Sequence, residues 1–438
     1  MQLRELLGRV AASRLGKDVL LTFSAQLFMM LSVFAVTKLV SRGQTVEGFS
    51  DYSLIRKNAA LFTSLFALGL TEALTHFYAY QQGRRSTAMV QGVLFGESIR
   101  LLLCSMLFFL VLFVVFRIPL SFAIFDSDAA WRELGLIYLF AVSLCVFQLL
   151  LSYYLGLGDF KKAAWVQVGV NGVFLAGAYF FSGNVALLFI LWSLLTLVPL
   201  MMIMLAELRS YPRCAGKEMR RLRKLLRKRL LFYGTTRMGS NLVIYGMDVL
   251  PLVMILHKLG PRSVSLFSVS ISVLQMVVSL FSFSSSIFLQ RVSLLRAAGD
   301  YSAIDKLLRW AVVPFVSIAL AGGVFLYFFS DFVIWLLYTN DFLEASPLIA
   351  ITSFALLPKA FFFLLKSPID AFSDKPYMLG VLSVSLLLYA VLLWRSTSLE
   401  GSAWAYVWAN VAMMVMAILT WRILLAKKLR GQRSGDAL

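Results

Sequence analysis

Six basic side chains interrupt apolar stretches of the sequence that are long enough to cross a bilayer. A charge at membrane depth is costly, so it normally faces a water-filled cavity or a partner of opposite charge. Basic groups in a low-dielectric cavity would select an anionic substrate such as a phosphate or pyrophosphate, which Arg can engage with two hydrogen bonds. We therefore expect a cationic substrate-binding cavity, and its candidate residues are Arg56, Lys57, Arg100, Arg237, Lys359 and Lys366.

Three carboxylates in the same stretches are candidates for ion coupling, namely Glu97, Asp248 and Asp370. Asp248 is the strongest of them, because an isolated carboxylate at depth can take up and release a proton or cation in a working pH range. The alternative for Asp248 is an ion pair with a basic group on another helix. His76 and His257 lie near predicted helix ends, and we interpret both as interfacial residues.

Pairing within one helix is an alternative explanation for several of these charges. Glu97 and Arg100 are three residues apart, and Lys366 and Asp370 are four apart, so each pair could simply neutralise itself. Lys366 and Asp370 could also lie at the cytoplasmic interface, with the Lys366 ammonium extended towards water.

The second predicted span carries the best candidates for substrate contact. Arg56 and Lys57 have no acidic residue one helical turn away, although Asp51 is near, and pairing with another helix is the alternative. Polar residues recur at helical spacing in other spans too, since positions eleven apart lie within about 20° of one another. Five spans thus offer a polar face, and the longest faces are Arg237, Asn241, Tyr245 and Asp248 in the seventh and Ser268, Ser272, Gln275, Ser279, Ser282 and Ser286 in the eighth.

The composition requires a membrane to position these residues. Of the 438 residues, 60% are hydrophobic and 14% charged, with a mean hydropathy of +0.83, so no water-soluble core could absorb the chain. The first span lacks a signal-peptide layout, and we expect no cleavage. At roughly 20 residues a span, we predict an all-α polytopic membrane protein of about twelve helices in two six-helix lobes around a central cavity. The spans lie near 19–40, 48–70, 88–116, 132–156, 163–182, 185–206, 230–257, 263–289, 309–330, 345–369, 377–395 and 402–424.

The basic excess predicts the orientation. The 41 Lys and Arg residues exceed the 22 Asp and Glu residues by a net charge of +19, and such an excess usually lies in cytoplasmic loops. With the N-terminus inside, most cations fall on the cytoplasmic face, which predicts a multi-pass protein of the bacterial inner membrane with both termini in the cytoplasm. The cations on the opposite face are Lys38, Arg42, Arg117, Arg132, Lys258, Arg262 and Arg395.

A basic central loop divides the chain into two sets of six spans. We predict an N-terminal lobe at 1–206, a loop at 207–229 and a C-terminal lobe at 230–438. Apolar residues at helical spacing make the loop a basic amphipathic helix suited to an anionic leaflet. One interpretation is that this helix fixes the membrane topology and tethers the two lobes. The alternative is that it gathers anionic lipid substrate. Anionic membrane lipids are expected partners. The spaced apolar residues are Met219, Leu222, Leu225, Leu226 and Leu230.

The sequence offers no enzyme signature. It has no phosphate-binding G-x-x-x-x-G-K-[ST] loop, no metal-ligand spacing and no large soluble domain, so we expect neither catalysis nor a cofactor. Cys104, Cys145 and Cys214 are too irregularly spaced for a metal site and are interpreted as small core residues.

Four stretches carry a resemblance to a known family. They are ALGLTEALTHFYA at Ala67–Ala79, YYLGLGDFKKAAWVQV at Tyr153–Val168, GSNLVIYGMDVLPLVMILHKLGPRSVSLFSVS at Gly239–Ser270 and LLRAAGDYSAIDKLLRWA at Leu294–Ala311. The third is the most specific, with an Asp in mid-helix before a Leu-Gly-Pro turn. Through these stretches, nearly the whole chain resembles a polysaccharide (O-antigen type) flippase of the multidrug/oligosaccharidyl-lipid/polysaccharide exporter superfamily.

The resemblance implies two six-helix lobes that work by alternating access. It implies transport of undecaprenyl-pyrophosphate-linked oligosaccharide from the cytoplasmic to the periplasmic leaflet, coupled to an ion gradient. The cation-rich cavity of the family would be supplied here by Arg56, Arg100, Arg237 and Lys359. A glycan polymerase and a chain-length regulator are the partners that family analogy suggests.

Two other functions remain as alternatives. A drug/cation antiporter of the multidrug and toxic-compound extrusion branch would need carboxylates for cationic drugs, whereas basic residues predominate at depth here. A membrane-embedded glycan polymerase would need a long periplasmic loop with paired functional residues, and every predicted outer loop is short.

Overall fold

The computed structural model describes residues 14–83, 88–211, 217–297, 301–372 and 376–435. Across these ranges every regular element is a helix, which confirms the predicted all-α class. Helices are expected for so apolar a chain, because a segment in hydrocarbon must satisfy its backbone hydrogen bonds internally. Cys214 lies outside the described residues, and so do the side chains of Ser282 and Ser286.

The helices follow one another through short connections. Two are fixed by N-terminal caps, since the Asp159 carboxylate accepts from the Lys162 amide and the Asn184 side chain accepts from the Leu187 amide. In chain order the α-helices are Arg14–Gly43, Gly48–Phe66, Leu70–Gly83, Ala88–Val115, Arg117–Phe125, Trp131–Gly156, Phe160–Phe181, Val185–Ser210, Lys217–Ala297, Tyr301–Phe328, Ser330–Leu337, Ser346–Ser353, Leu356–Phe372, Tyr377–Arg395 and Leu399–Gly435, with a 3-10 helix at Asn340–Ala345.

Nine of the described helices are long and apolar enough to cross a membrane, and two bent pairs raise that number to eleven. One of the nine, Met219–Phe281, is counted as a single span and lies within the 81-residue helix Lys217–Ala297. Gly260, before Pro261, has a φ of 81° and a ψ of 176°, so the helix divides there into 217–259 and 261–297. With this division the described helices supply the predicted twelve spans.

The two bent pairs are the second and tenth spans. Gly48–Phe66 and Leu70–Tyr78 meet at 54°, because Leu68 and Gly69 both take positive φ values, of 50° and 65°. Asn340–Ser353 and Leu356–Asp370 meet at 52°. A broken helix frees backbone groups, so such breaks are tolerated at membrane depth only where protein or a cavity surrounds them.

Internal contacts divide the chain into two compact units. The first comprises Met1–Thr45 and Asp51–Leu242, and the second comprises Val46–Ser50 and Val243–Leu438. The division therefore falls within the seventh span, so that the helix from 217 to 242 packs with the first unit. The assignment of 1–206, 207–229 and 230–438 to two transport lobes and a loop stays a prediction.

An aromatic cluster forms part of the core of the first unit. The ring of Tyr52 lies 5.8 Å from that of Phe189 and 6.3 Å from that of Trp192, between centroids. Phe140 contacts the same Phe189 and Trp192 rings. All four residues are buried, which holds this part of the second span against the fourth and sixth spans.

The second unit has its own aromatic contacts. Phe49 packs edge-on against Phe342, at 5.2 Å between ring centroids, and against Tyr338. This contact explains why Val46–Ser50 belongs to the second unit although the rest of its helix belongs to the first.

The basic central segment is helical from Lys217, and its prediction as an amphipathic helix on the membrane surface stays a prediction. From Lys217 the helix runs without a break into the seventh span as far as Gly260. Met219, Leu226 and Leu230 are buried along one side of it. The physical reason is that these apolar residues pack against protein, and the helix has no Gly or Pro between 217 and 233 to end it.

Candidate functional site

The polar stripe of the seventh span contributes to two separate clusters. Arg237 and Asn241 belong to the first unit, whereas Asp248 belongs to the second. The sequence spacing correctly places these residues on one helix, but it does not indicate that their neighbours come from different units.

In the first unit, Asn241 meets a carboxylate that sequence reasoning missed. Its Nδ2 donates to Glu72 Oε1 at 2.7 Å, and the hydroxyl of Thr71 donates to Glu72 Oε2 at 2.7 Å. The ring of His76 stacks on that of Tyr233, with centroids 4.7 Å and planes 8° apart. The polar cluster of the first unit therefore joins the second half of the second span to the seventh span.

Arg237 extends this cluster, because its guanidinium carbon lies 5.6 Å from the Tyr233 ring centroid. Glu72 and His76 are four residues apart and so lie on one helical face. That spacing is the signal that could have identified them, and it stands within the ALGLTEALTHFYA stretch. The structure places His76 at a contact with the seventh span, beyond the interfacial role expected of it.

A close backbone approach holds this cluster in place. A Cβ atom on Gly69 would collide with the Gly234 carbonyl, and one on Gly234 would collide with the Leu68 carbonyl. The break in the second span thus touches the seventh span backbone to backbone. Glycine is required on both sides, and at Gly69 it also suits the positive φ.

In the second unit, Asp248 is half-buried and accepts from the Gln275 amide at 3.1 Å. Lys359, only 9% exposed, places its ammonium 5.1 Å from the Tyr406 ring centroid and within electrostatic range of Asp248. Asp248 and Lys359 are thus brought together from the seventh and tenth spans. Lys359 does not reach ion-pairing distance of Asp248, and the role of Asp248 in ion coupling stays a prediction.

Three buried oxygens lie on Tyr406, which contacts Lys359, and on two neighbours of Tyr406. The hydroxyls of Tyr389 and Tyr406 and the side-chain oxygen of Asn410 have no hydrogen-bond partner among the described residues. The rings of Tyr389 and Tyr406 lie 5.8 Å apart. Each unsatisfied buried group costs about 1–3 kcal/mol. The cluster can therefore accept further hydrogen bonds. It was not predicted from sequence, because tyrosines in an apolar bundle are usually packing residues.

Arg56 and Lys57 lie in the first unit on the second span, and both are half-buried. Nη1 of Arg56 is 3.1 Å from the Tyr52 hydroxyl, and its guanidinium carbon is 5.8 Å from the Tyr52 ring centroid. Among the described residues, Arg56 has no carboxylate at ion-pairing distance. Its positive charge is held by an aromatic residue of the core rather than neutralised.

Glu97 forms the ion pair with Arg100 that its spacing allowed, at 2.9 Å. The same carboxylate, which is 3% exposed, also accepts from Nε and Nη2 of Arg227 at 2.9 and 2.7 Å. Two cations thus converge on one buried acid. The Arg100 side chain remains 55% exposed, so it is paired but accessible.

The remaining candidates lie on the tenth span in the second unit. Lys366 and Asp370 are both half-buried and lie one turn apart on the same helix as Lys359. Within the described ranges, no group of three or more His, Cys, Asp or Glu side chains could hold a metal ion.

The fold is similar to that of solved transporters and of a flippase. An inward-facing multidrug resistance MATE family transporter of the MOP superfamily matches with a TM-score of 0.74 and 14% identity, over 94% of this chain and 99% of its own. A MOP superfamily transporter from Pyrococcus furiosus, described by the reverse polarity of its binding pocket, matches at 0.66 and 14%, over 94% of each chain.

The lipid II flippase MurJ in an inward closed conformation matches with a TM-score of 0.63 and 15% identity, over 94% of this chain and 89% of that one. No family model matches the sequence, and no curated protein matches it. At these identities the likeness shows the fold, which is that of MOP superfamily transporters.

Proposed function

We propose that this protein is a flippase for polyisoprenoid pyrophosphate-linked oligosaccharide, moving it from the cytoplasmic to the periplasmic leaflet for surface polysaccharide synthesis. The observation that carries the proposal is Arg56, a half-buried cation on a membrane-spanning helix that bonds a tyrosine hydroxyl and no carboxylate of the described residues. A cation at membrane depth is energetically costly unless an anion binds to it. A pyrophosphate is an anion that Arg recognises through paired hydrogen bonds.

Further cations support an anionic substrate. Lys57 is half-buried beside Arg56, and Lys359 is buried in the second unit. Arg100, Arg237 and Lys366 complete the candidate set. Among proteins of the same fold, one is a flippase of a lipid-linked substrate and another is described by a binding pocket of reversed polarity, so this fold accommodates both features.

The proposed mechanism is alternating access coupled to an ion gradient. Asp248 is the coupling residue, because its carboxylate is half-buried, is held by Gln275 and interacts with the ammonium of Lys359. Release of a proton or cation from Asp248 would strengthen its attraction for Lys359, and uptake would weaken it. Asp370 stays a second candidate, while Glu97 is already engaged by two arginines.

The proposed site of action is the bacterial inner membrane, with both chain ends in the cytoplasm. The net charge of +19 supports that orientation through its concentration in the predicted cytoplasmic loops. Under this proposal a glycan polymerase and a chain-length regulator would act on the product at the periplasmic face.

The second candidate function is a drug/cation antiporter. Asp248 favours it, because a half-buried carboxylate at membrane depth can bind an organic cation as well as a proton. Two structures of this fold are named as multidrug resistance MATE family transporters. The two functions differ in the sign of the cargo, which makes them separable by experiment.

Deletion of the gene in its host tests the proposal. Loss of surface polysaccharide, with lipid-linked oligosaccharide trapped on the cytoplasmic side, is the expected result. Complementation with the wild-type gene and with Arg132→Ala, which removes an exposed cation, should restore the glycan, while Arg56→Ala should not. Normal glycan and normal intermediates, with altered sensitivity to cationic drugs, would contradict the flippase function and support the antiporter function.

A further inference from the structure

An open basic groove lies on the helix that begins at Lys217, where it leads into the seventh span. It has a volume of about 480 Å³ and is lined by four cations and two apolar residues. All six lining residues come from one helix, at the spacing i, i+3, i+4, i+7, i+8 and i+11, which places them on a single face. The basic groove consists of Arg221, Lys224, Leu225, Lys228, Arg229 and Phe232.

The opposite face of the same helix fixes the direction in which the groove opens. Leu226 and Leu230 are buried, and Arg227 is turned to the buried Glu97. These contacts hold the helix against the first unit. The groove cations are therefore held outward by packing rather than left free to pair with the protein.

The groove is polar at one end and apolar at the other. Its cations lie between 221 and 229, whereas Phe232, which is 76% exposed, lies nearer the apolar part of the span. Leu225, which is 48% exposed, lies among the cations. A ligand with a compact anionic head and an apolar chain matches this arrangement, with its head at the cations and its chain leading past Phe232 at the apolar end.

The number of cations distinguishes a pyrophosphate from an ordinary phospholipid headgroup. Arg221 and Arg229 are separated by about 12 Å of helix, so four cations stand within the reach of one small headgroup. A glycerophospholipid phosphate carries one negative charge, but a pyrophosphate carries at least two and offers acceptors to several cations at once. Charge-assisted bonds of this kind are the strong ones.

We propose that the basic groove is a capture site for the pyrophosphate headgroup of the lipid-linked substrate, separate from the membrane-embedded cations. This inference rests on the proposed flippase function and adds a second binding site to it. Leu225 and Phe232 contact the first isoprene units of the chain, and the four cations bind the two phosphates. Substrate in the leaflet is thereby concentrated beside the seventh span before transport.

The test measures binding of farnesyl pyrophosphate to the full-length protein in nanodiscs of zwitterionic lipid. The groove variant Lys224→Gln/Lys228→Gln should weaken binding about tenfold, because two charge-assisted contacts are lost. The matched control Arg220→Gln/Arg223→Gln removes two charges from other sides of the same helix and should change affinity less than about twofold. Leu225→Ser/Phe232→Ser should weaken farnesyl pyrophosphate while leaving inorganic pyrophosphate binding unchanged.

Competition separates the sources of the anion. Phosphatidylglycerol added at equal charge should displace little farnesyl pyrophosphate, and equal displacement would overturn the proposal by making the groove a general anionic-lipid site. If wild-type protein and groove variant bind alike while Arg56→Ala loses binding, the groove proposal fails and the flippase stands. If wild-type protein binds no isoprenyl pyrophosphate at all, the proposed function fails with it.

Discussion

Asn241 of the seventh span donates a 2.7 Å hydrogen bond to the carboxylate of Glu72, just past the break in the second span. Nearer the beginning of the same helix, the backbones of Gly234 and Gly69 are in direct contact. These two contacts explain why this helix packs with the first unit as far as Leu242.

The glycine contact predicts a stability difference. Gly234→Ala should lower the free energy of unfolding by about 1–3 kcal/mol, because its Cβ would press against the Leu68 carbonyl, which is backbone and cannot swing away. Thermal unfolding in detergent measures the change. Gly169→Ala is the matched control, since it is also helical and its Cβ would meet nothing within 4 Å. Equal melting temperatures for both variants would contradict the close approach.

The buried acid Glu97 predicts a second stability effect. Arg227→Ala should cost about 1–3 kcal/mol, because it leaves the carboxylate with only the partly exposed Arg100. Arg220→Ala, at an exposed position seven residues earlier on the same helix, should have little effect. A double-mutant cycle with Glu97→Gln checks the pairing. Additive losses in that cycle would show that Glu97 and Arg227 do not interact.

Removal of the buried charge at Lys359 should reduce transport without reducing the stability of the protein. Lys359→Met keeps the length of the side chain and removes a buried ammonium, so the melting temperature should stay the same or rise. Transport should fall because Asp248 loses its cationic neighbour. Parallel measurements of melting and of surface glycan check this. A variant that melts lower and transports normally would remove Lys359 from the mechanism.

Coupling at Asp248 predicts a change in ion dependence. Asp248→Asn preserves a partner for Gln275, so the protein should fold, but transport should no longer respond to an imposed proton or sodium gradient. Gradient-driven uptake in membrane vesicles is the measurement. The control Asp341→Asn alters an exposed carboxylate of the second unit and should respond like wild-type protein. A normal response in Asp248→Asn would move coupling to Asp370.

Much of the fold follows from local pattern. Spans are defined by long apolar runs, and Gly260 with Pro261 marks the turn between the seventh and eighth, so their number can be predicted from sequence. The pairing of Glu97 with Arg100 is likewise local. The contact of Glu97 with Arg227 is not, since 130 residues separate them and nothing in either segment specifies the other.

Sites that combine residues from distant segments cannot be predicted from the sequence alone. Glu72 is placed in the cluster by its hydrogen bond from Asn241, which is 169 residues away. His76 is placed there by stacking on the ring of Tyr233. The unsatisfied oxygens of Tyr389 and Tyr406 depend on which helices enclose them. Spacing predicts which residues share a helix face, but only packing determines what that face meets.

The central claim is that cations at membrane depth carry an anionic lipid-linked cargo. The most direct measurement is reconstitution of purified protein in liposomes with a fluorescent isoprenyl-pyrophosphate oligosaccharide, followed by its transfer between leaflets. Wild-type protein should transfer it, Arg56→Ala should not, and Arg56→Lys should retain part of the rate because the charge remains while the paired hydrogen bonds are lost. Equal transfer by wild-type protein and Arg56→Ala, or transfer of cationic dyes in place of the oligosaccharide, would contradict the account.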